Sequence, residues 1–292
     1  MNDNGFFLVS VVIPTYNHGH YLGRALQSVI DQTYSNWEII IIDNHSTDLT
    51  NEVIASFNDS RITYLRIHNK GVIAASRNVG IRASKGEWIA FLDSDDYWTK
   101  NKLKVCLDII NDKVDFVYHD LKVISSKMSL FKRKMTKSRQ VKSPVIIDLL
   151  TKGNTVVNSS VMVRKKLMDQ IGEINESVKM IATEDFNTWL RISQLTEYFV
   201  YLPKRLGYYL IHNQRTSKKD MSLSAENAVA EFIDILSSKQ KTKLKANIKY
   251  TRGRFNYLEG NYKVAKEDLW FVLCHGRASL RIKSIMMLAF CM

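Results

Sequence analysis

Trp88-Ile89-Ala90-Phe91-Leu92 runs without a break into Asp93-Ser94-Asp95-Asp96. A short, uninterrupted apolar run reads as a strand buried on both faces, because a half-exposed strand would alternate. Carboxylates at i, i+2 and i+3 directly beyond it repel one another unless a cation or hydrogen-bond donors compensate them. A hard divalent ion with oxygen ligands, bridging to substrate phosphates, is the natural compensation. The plainer alternative is that the acids face water and cap a helix starting near Thr99.

The same grammar extends on both sides. Leu8 to Ile13 is apolar except for Ser10 and stops at Pro14; Trp37 to Ile42 reads as a second buried strand and Ile62 to Ile67 as a third. Between them Leu22, Ala25, Leu26, Val29 and Ile30 share one helical face. Ser46, Thr47 and Asp48 offer caps for a helix after the second strand. A helix is expected from about Ile73 to Ala83, another around Leu103 to Ile110, and a strand at Asp115 to Tyr118. Repeated strand-helix-strand units predict an α/β fold with a mostly parallel central sheet flanked by helices. Ligands of such sheets sit beyond the carboxyl ends of the strands. That rule gathers Pro14–Asn17, Asp43–Asp48 and Asp93–Asp96 on one rim.

Farther along, Ser125 to Pro144 holds seven lysines and arginines and no acid. It reads either as a solvated loop or as an arm that meets an anionic acceptor or a membrane surface. Regular structure is expected again near Val156 to Val163, in a helix at Glu184 to Gln194, and in two short strands, Tyr198–Leu202 and Gly207–Ile211. From Ser222 onward only helical periodicity remains, as four segments: Leu223–Leu236, Leu244–Leu258, Tyr262–Leu273 and Leu280–Phe290.

Composition bounds the function. The 292 residues are 45% apolar and carry a formal charge of +13. A core is affordable at that length, and the charge favours anionic partners. Cys106, Cys274 and Cys291 are too few and too scattered for a zinc site or a disulfide framework, which fits a cytoplasmic setting. No apolar stretch is long enough to span a bilayer, and Met1 to Gly5 does not resemble a secretory signal. The expectation is a cytoplasmic chain, peripheral at most to the inner face of the cell membrane. Neither G-x-G-x-x-G nor a P-loop is present. Tyr16 is placed to stack on a base, and Asp43 or Asn44 to bond a base edge.

Four ordered segments carry a resemblance: Val9-Ser10-Val11-Val12-Ile13-Pro14-Thr15-Tyr16-Asn17, Ile42-Asp43-Asn44-His45-Ser46-Thr47-Asp48, Arg77-Asn78-Val79-Gly80, and Gly86 to Asp96. Together they resemble the signature of family 2 glycosyltransferases with the GT-A fold, over roughly residues 8–215. The resemblance implies a GT-A domain at 1–220, with a nucleotide-binding part at about 8–120 and an acceptor part at about 145–220, and a helical region at 221–292. It implies a nucleotide diphosphate-sugar donor held by Pro14, Tyr16, Asn17, Asp43, Asn44, Arg77, Asn78, Asp93, Ser94 and Arg215. It implies Mn²⁺ or Mg²⁺ on Asp95, with Asp93 and His212 nearby and Asp96 assisting. Ala182-Thr183-Glu184-Asp185 resembles the family's acidic motif, with Asp185 as general base and Glu184 beside it; helix-dipole stabilisation of two acids in a first turn is the structural alternative. Asn44 departs from the second aspartate of many relatives, which leaves the base open.

The implied function is inverting transfer of a sugar to an acceptor hydroxyl on a glycan or lipid-linked acceptor, in surface polysaccharide synthesis. Two other classes remain at this point. One is a nucleotidyltransferase on a similar sheet. The other is a basic binding module for nucleic acid or membrane, with the 127–142 loop or the C-terminal helix as the contact; the acidic rim makes nucleic acid the weaker partner.

Overall fold

The computed structural model describes residues 7–125, 134–136, 138–211 and 220–290. His212, Arg215 and, within the basic 127–142 loop, residues 127–133 and 137 lie outside the described residues. In chain order the elements are β1 (Val9–Thr15), α1 (Gly19–Ile30), β2 (Trp37–Asp43), α2 (Thr50–Ala55), β3 (Ile62–Arg66), α3 (Ile73–Ala83), β4 (Trp88–Phe91), β5 (Tyr97–Trp98), α4 (Lys102–Leu107), β6 (Phe116–Ser125), β7 (Lys134–Met135), α5 (Val145–Lys152), β8 (Met162–Arg164), α6 (Lys165–Gln170), α7 (Glu184–Ile192), β9 (Phe199–Ile211), α8 (Ser222–Val229), α9 (Ser238–Leu258), α10 (Tyr262–His275) and α11 (Ala278–Leu288).

The described strands form one sheet in the order β3-β2-β1-β4-β8-β6-β9-β5, with β7 on β6. β3, β2, β1 and β4 are parallel, as are β6 and β9; β8 pairs antiparallel with both β4 and β6, and β5 with β9. Parallel pairing therefore carries most of the ladder length, but the second half of the sheet is mixed. The expected β1 end at Pro14 is too early: β1 runs to Thr15. Pairing of β4 with β1 stops at Val12, so the proline nitrogen has no ladder bond to supply on that side. The two short strands expected at 198–211 are one strand, β9. Its register against β6 shifts around His119, Asp120 and Leu121, which lets residues near Pro203 leave the ladder without ending it.

The chain divides into two compact units, and the cut is not a single one near residue 220. One unit comprises residues 1–141, 155–176 and 195–213; the other comprises 142–154, 177–194 and 214–292. Contacts in space, not chain order, draw that boundary. The first unit contains the whole sheet. Its core is the apolar run of each central strand with the buried faces of α1 and α4, including Val11, Ile13, Leu26, Trp37, Ile39 and Leu103. Of the α1 stripe predicted by spacing, Leu22, Ala25, Leu26 and Val29 are fully buried, whereas Ile30, in the last turn, is half-buried. α3 packs on β1 and β2 at Gly80, where a Cβ would lie 2.5 Å from Val12 Cγ1 and 2.6 Å from Ile42 Cδ1.

The second unit is helical. α9 opens with a capping box between Ser237 and Gln240. Asp268 of α10, buried among apolar neighbours, accepts from Lys249 and Arg252 of α9 at 2.6 Å each. The helix expected at 223–236 is α8 followed by a 3₁₀ stretch, Ala230–Ile235. No helix among the described residues is long and apolar enough to cross a membrane.

Lys102 and His119 are both sealed in the first unit. Lys102 lies fully buried with Nζ 4.0 Å over the Trp98 ring, and burial lowers its pKa to about 8. His119 is buried on β6, and burial, then the Lys102 charge, lower its pKa to about 3.

Two measurements follow. Gly80→Ala is expected to cost about 1–3 kcal/mol by overpacking, read as a lower urea midpoint. Across pH 8 to 10.5 the unfolded chain holds the Lys102 proton and the folded chain releases it, so stability rises with pH there. Across pH 6.5 to 3 the unfolded chain takes up the His119 proton first, so stability falls as pH drops. Lys102→Met is expected to flatten the alkaline limb and to stabilise at neutral pH by about 1–3 kcal/mol; a pH series of urea melts checks both.

Candidate functional site

The rim beyond β1, β2, β3 and β4 is assembled by side chains bonding backbone. After β1, Asn17 adopts a left-handed conformation (φ 50°), which asparagine tolerates better than most residues. Its N–H donates to Ser46 Oγ at 2.8 Å, and its Oδ1 accepts from Thr47 N–H at 2.8 Å. The first two motifs are thereby tied together, and Ser46 and Thr47 serve this tie instead of capping α2. Asp48 does take the Thr50 N–H at 3.0 Å, and the Gly19 N–H at 2.9 Å, so it braces both α2 and α1. Tyr16, next to Asn17, is 54% exposed and keeps its ring surface available.

Asp43, at the end of β2, is fully buried. It accepts from Ser46 N–H at 3.0 Å and from Tyr64 OH at 3.0 Å, with Arg66 Nε at 3.6 Å. In this arrangement it organises the loop. Asn44 N–H donates to Thr15 O, and its Oδ1 accepts from Asn69 N–H. His45 (φ 53°) stacks face to face on His68, ring centroids 3.6 Å apart. Desolvation, then the neighbouring His68 and Arg66, hold the His45 pKa below its ordinary value.

Past β4 the acidic turn alternates. Leu92, Ser94 and Asp96 point inward, while Asp93 and Asp95 are half-buried. Asp93 Oδ1 accepts from Arg77 Nη2 at 2.8 Å and from Asn158 Nδ2 at 3.0 Å, and Asp93 N–H donates to Ser159 Oγ at 3.1 Å. Ser94 Oγ is 2.8 Å from His18 Nδ1. Asp96 Oδ1 accepts from Leu210 N–H of β9 at 2.9 Å, and Oδ2 is buried with no hydrogen-bond partner among the described residues. Burial, then the like charges of Asp95 and Asp93, push the Asp96 carboxyl well above the usual carboxylate range. Asp96 therefore behaves as an internal hydrogen-bonding group, and the accessible acids are Asp93 and Asp95.

No group of three metal-competent side chains is assembled among the described residues. The two carboxylates still fit a hard cation, because Mg²⁺-type sites commonly use one or two protein carboxylates and take further oxygens from phosphate and water. Asn78 has a different placement from the rest. It is buried, gives Nδ2 to Ile174 O and Glu176 Oε1 at 2.8 Å each, and accepts from Ile174 N–H at 2.9 Å. Its hydrogen-bonding capacity goes to segment 174–176.

In the helical unit, Glu184 and Asp185 start α7, as expected from their dipole preference. Glu184 is buried. Asp185 is half-buried and lines a cavity of about 270 Å³ with Thr183, Phe186, Leu150, Met221 and Asn247. His18, His68, Asn158 and Ser159 have no assigned role in the sequence reading, and His45 enters it only as part of the second motif. Each has a partner more than twenty positions away, and no local pattern marks that pairing.

An α/β sheet with an oxygen-lined rim at its strand ends has the form that open α/β sheets use to receive ligands. Residues 10–172 match the sequence family described as Glycosyl transferase family 2, and the chain belongs to that family. One curated relative is an Escherichia coli UDP-Glc:alpha-D-GlcNAc-diphosphoundecaprenol beta-1,3-glucosyltransferase, WfgD, 36% identical over 121 residues. That match covers 41% of this chain, which spans about half (48%) of the relative's length. Among solved structures, Staphylococcus aureus TarS 1–349 in complex with UDP-GlcNAc aligns with a TM-score of 0.67 at 18% identity, over 97% of this chain and 90% of that one. The Pyrobaculum calidifontis mannosyltransferase PcManGT, in complex with GDP-Man and Mn²⁺, aligns with a TM-score of 0.63 at 15% identity, over 97% and 79%. At those identities the likeness establishes the GT-A fold.

Asn78→Ala is expected to cost about 1–3 kcal/mol by stranding the Ile174 backbone groups, with nucleotide affinity of the folded fraction unchanged. Calorimetric titration with UDP at a temperature well below the melt separates the two effects; a loss of affinity without loss of stability would return Asn78 to the nucleotide site.

Proposed function

We propose that the protein transfers a sugar from a nucleotide diphosphate-sugar to an acceptor hydroxyl with inversion, in the synthesis of a surface glycan. The observation that carries this reading is the Asp93–Asp96 turn. Asp93 is fixed by Arg77 and Asn158, Asp96 is withdrawn into the sheet, and Asp95 is left half-buried on the rim. Family membership and the nucleotide-sugars in TarS and PcManGT support it.

In this reading Tyr16 stacks on the base, with the Asn17–Asn44 loop network and Asp43 shaping the nucleoside end. Pro14 and Ser94 shape the rim beside it. Arg77 holds the Asp93 carboxylate toward the ribose and diphosphate, and Arg215 meets phosphate. Asp95, with Asp93 and His212, would hold Mn²⁺ or Mg²⁺. When bound, the cation offsets the negative charge that grows on the departing diphosphate. Asp185 accepts the proton of the acceptor hydroxyl as its oxygen attacks the anomeric carbon from the face opposite the leaving group. Glu184, buried at the same helix start, positions that turn. An α-linked donor then yields a β-linked product.

A glycan or lipid-linked acceptor is the proposed second substrate, with the protein cytoplasmic and peripheral to the membrane through the 127–142 loop or the C-terminal helix. The amphipathic division of α11 is consistent with that role. Leu280 and Ser284 are buried, while Ile282, Ile285 and Met286 are exposed on another face.

Asp185→Asn is expected to lower turnover by about 10²–10⁴-fold and to leave the donor-induced thermal shift intact; full turnover removes Asp185 from the mechanism. Asp95→Ala is expected to abolish the Mn²⁺-dependent part of that shift across a panel of UDP-, dTDP- and GDP-sugars. An unchanged shift would remove Asp95 as the ligand.

A further inference from the structure

Ser94 stands between the two accessible acids, Asp93 and Asp95, and is 3% exposed. Its Oγ lies 2.8 Å from His18 Nδ1, which reaches it across 76 positions of sequence. The neighbouring acids have their own anchors: Arg77 and Asn158 on Asp93, and the Leu210 N–H on Asp96. Like charges push the carboxylates of the turn apart. A tether at Ser94 holds the turn against that repulsion.

The local structure of His18 directs its ring to this point. It stands at the N-cap of α1, where Ser, Thr, Asp or Asn would ordinarily bond the first turn. Its side chain makes no cap bond and goes to Ser94 instead. The backbone on either side is tied to the second motif, Asn17 N–H to Ser46 Oγ at 2.8 Å and Gly19 N–H to Asp48 Oδ2 at 2.9 Å. His18 O accepts from Tyr21 and Leu22 N–H at 2.8 and 2.9 Å. The imidazole meets the Tyr21 ring edge-on, with centroids 5.5 Å apart. A side chain bounded in this way is preorganised. His18 joins the Asn17 and Asp43–Asp48 part of the rim to the acidic turn.

We propose that His18 is a positioning residue for the cation site: its ring holds the Ser94 hydroxyl and thereby sets where the Asp95 carboxylate stands relative to Asp93. The inference rests on the reading of Asp95 as the Mn²⁺ or Mg²⁺ ligand. A cation that takes only one or two protein carboxylates depends on their placement. Partners that orient metal ligands typically matter about 10- to 100-fold in affinity. Either direction of the bond serves, because Nδ1 accepts the Ser94 O–H in one tautomer and donates to Oγ in the other. An asparagine amide sits as many bonds from Cα as Nδ1 does. It offers both an oxygen and an N–H, so it can replace either tautomer.

The test is Mn²⁺ binding to the full chain, read from the electron paramagnetic resonance of unbound Mn²⁺. UDP, dTDP or GDP is present, whichever raises wild-type affinity most, and nucleotide without protein is the blank. His18→Leu and Ser94→Ala are each expected to weaken Mn²⁺ binding about tenfold. Together they are expected to weaken it no more than either alone, because both break the same bond. His18→Asn is expected to restore affinity to within about threefold of wild type. His20→Ala, also against Tyr21 but exposed, is expected to leave it unchanged. Melting curves without metal accompany each variant. The inference is overturned if His18→Leu lowers the melting temperature and spares Mn²⁺ affinity, which would make His18 a prop for the fold. It is equally overturned if Ser94→Ala spares affinity that His18→Leu loses, if the two losses multiply in the double variant, or if asparagine does not rescue. Asp95→Ala separates this inference from the reading beneath it. Loss of Mn²⁺ binding there, with none in His18→Leu, removes His18 alone; unchanged binding in Asp95→Ala removes both.

Discussion

Three carboxylates within four residues cannot share the end of a buried strand unless their charge is dealt with one by one. Here each has a different solution. Asp93 meets a guanidinium and an amide, Asp96 is drawn inside and kept toward its neutral form, and Asp95 remains on the rim. The partners come from α3, from the turn at residues 158–160 and from β9. The order of strands around β4 follows from the need to bring those partners to one point. The β8 insertion between β4 and β6 delivers Asn158 and Ser159, and β9 delivers the Leu210 N–H.

The rest of the rim is held by small polar side chains acting on backbone. Asn17, Asn44, Ser46 and Asp48 satisfy N–H groups that loops leaving parallel strands would otherwise bury unpaired. A rim built this way is held in place without being apolar, which suits a surface that receives a polar ligand. It also means that polar residues in the motifs divide between two jobs. Asn78 and Asp43 are consumed by the scaffold as it stands, whereas Tyr16, Asp93 and Asp95 present accessible surface.

Much of the architecture was legible in the chain. Mostly apolar runs marked β1, β2 and β4, and four of the five stripe residues of α1 are buried as read, because complete burial leaves little freedom in residue type. The later strands were harder. β9 looked like two strands because Pro203 and the polar Lys204 and Arg205 interrupt its pattern, and only the register against β6 carries it through. The division into units was not legible as a linear boundary, since residues 142–154 and 177–194 belong by contact with the C-terminal helices.

Sequence by itself determined the fold class, the acidic rim and the family, because these rest on local periodicity and on short motifs whose residues are adjacent in the chain. Tertiary structure decided which acids stay accessible, which motif residues serve the scaffold, and where two titratable groups, Lys102 and His119, are sealed in the core. Several of those outcomes depend on partners 65 to 114 positions away, such as Asn158 with Asp93, Ile174 with Asn78 and Leu210 with Asp96. Burial and hydrogen-bond satisfaction are properties of the packed whole, and no local pattern encodes them.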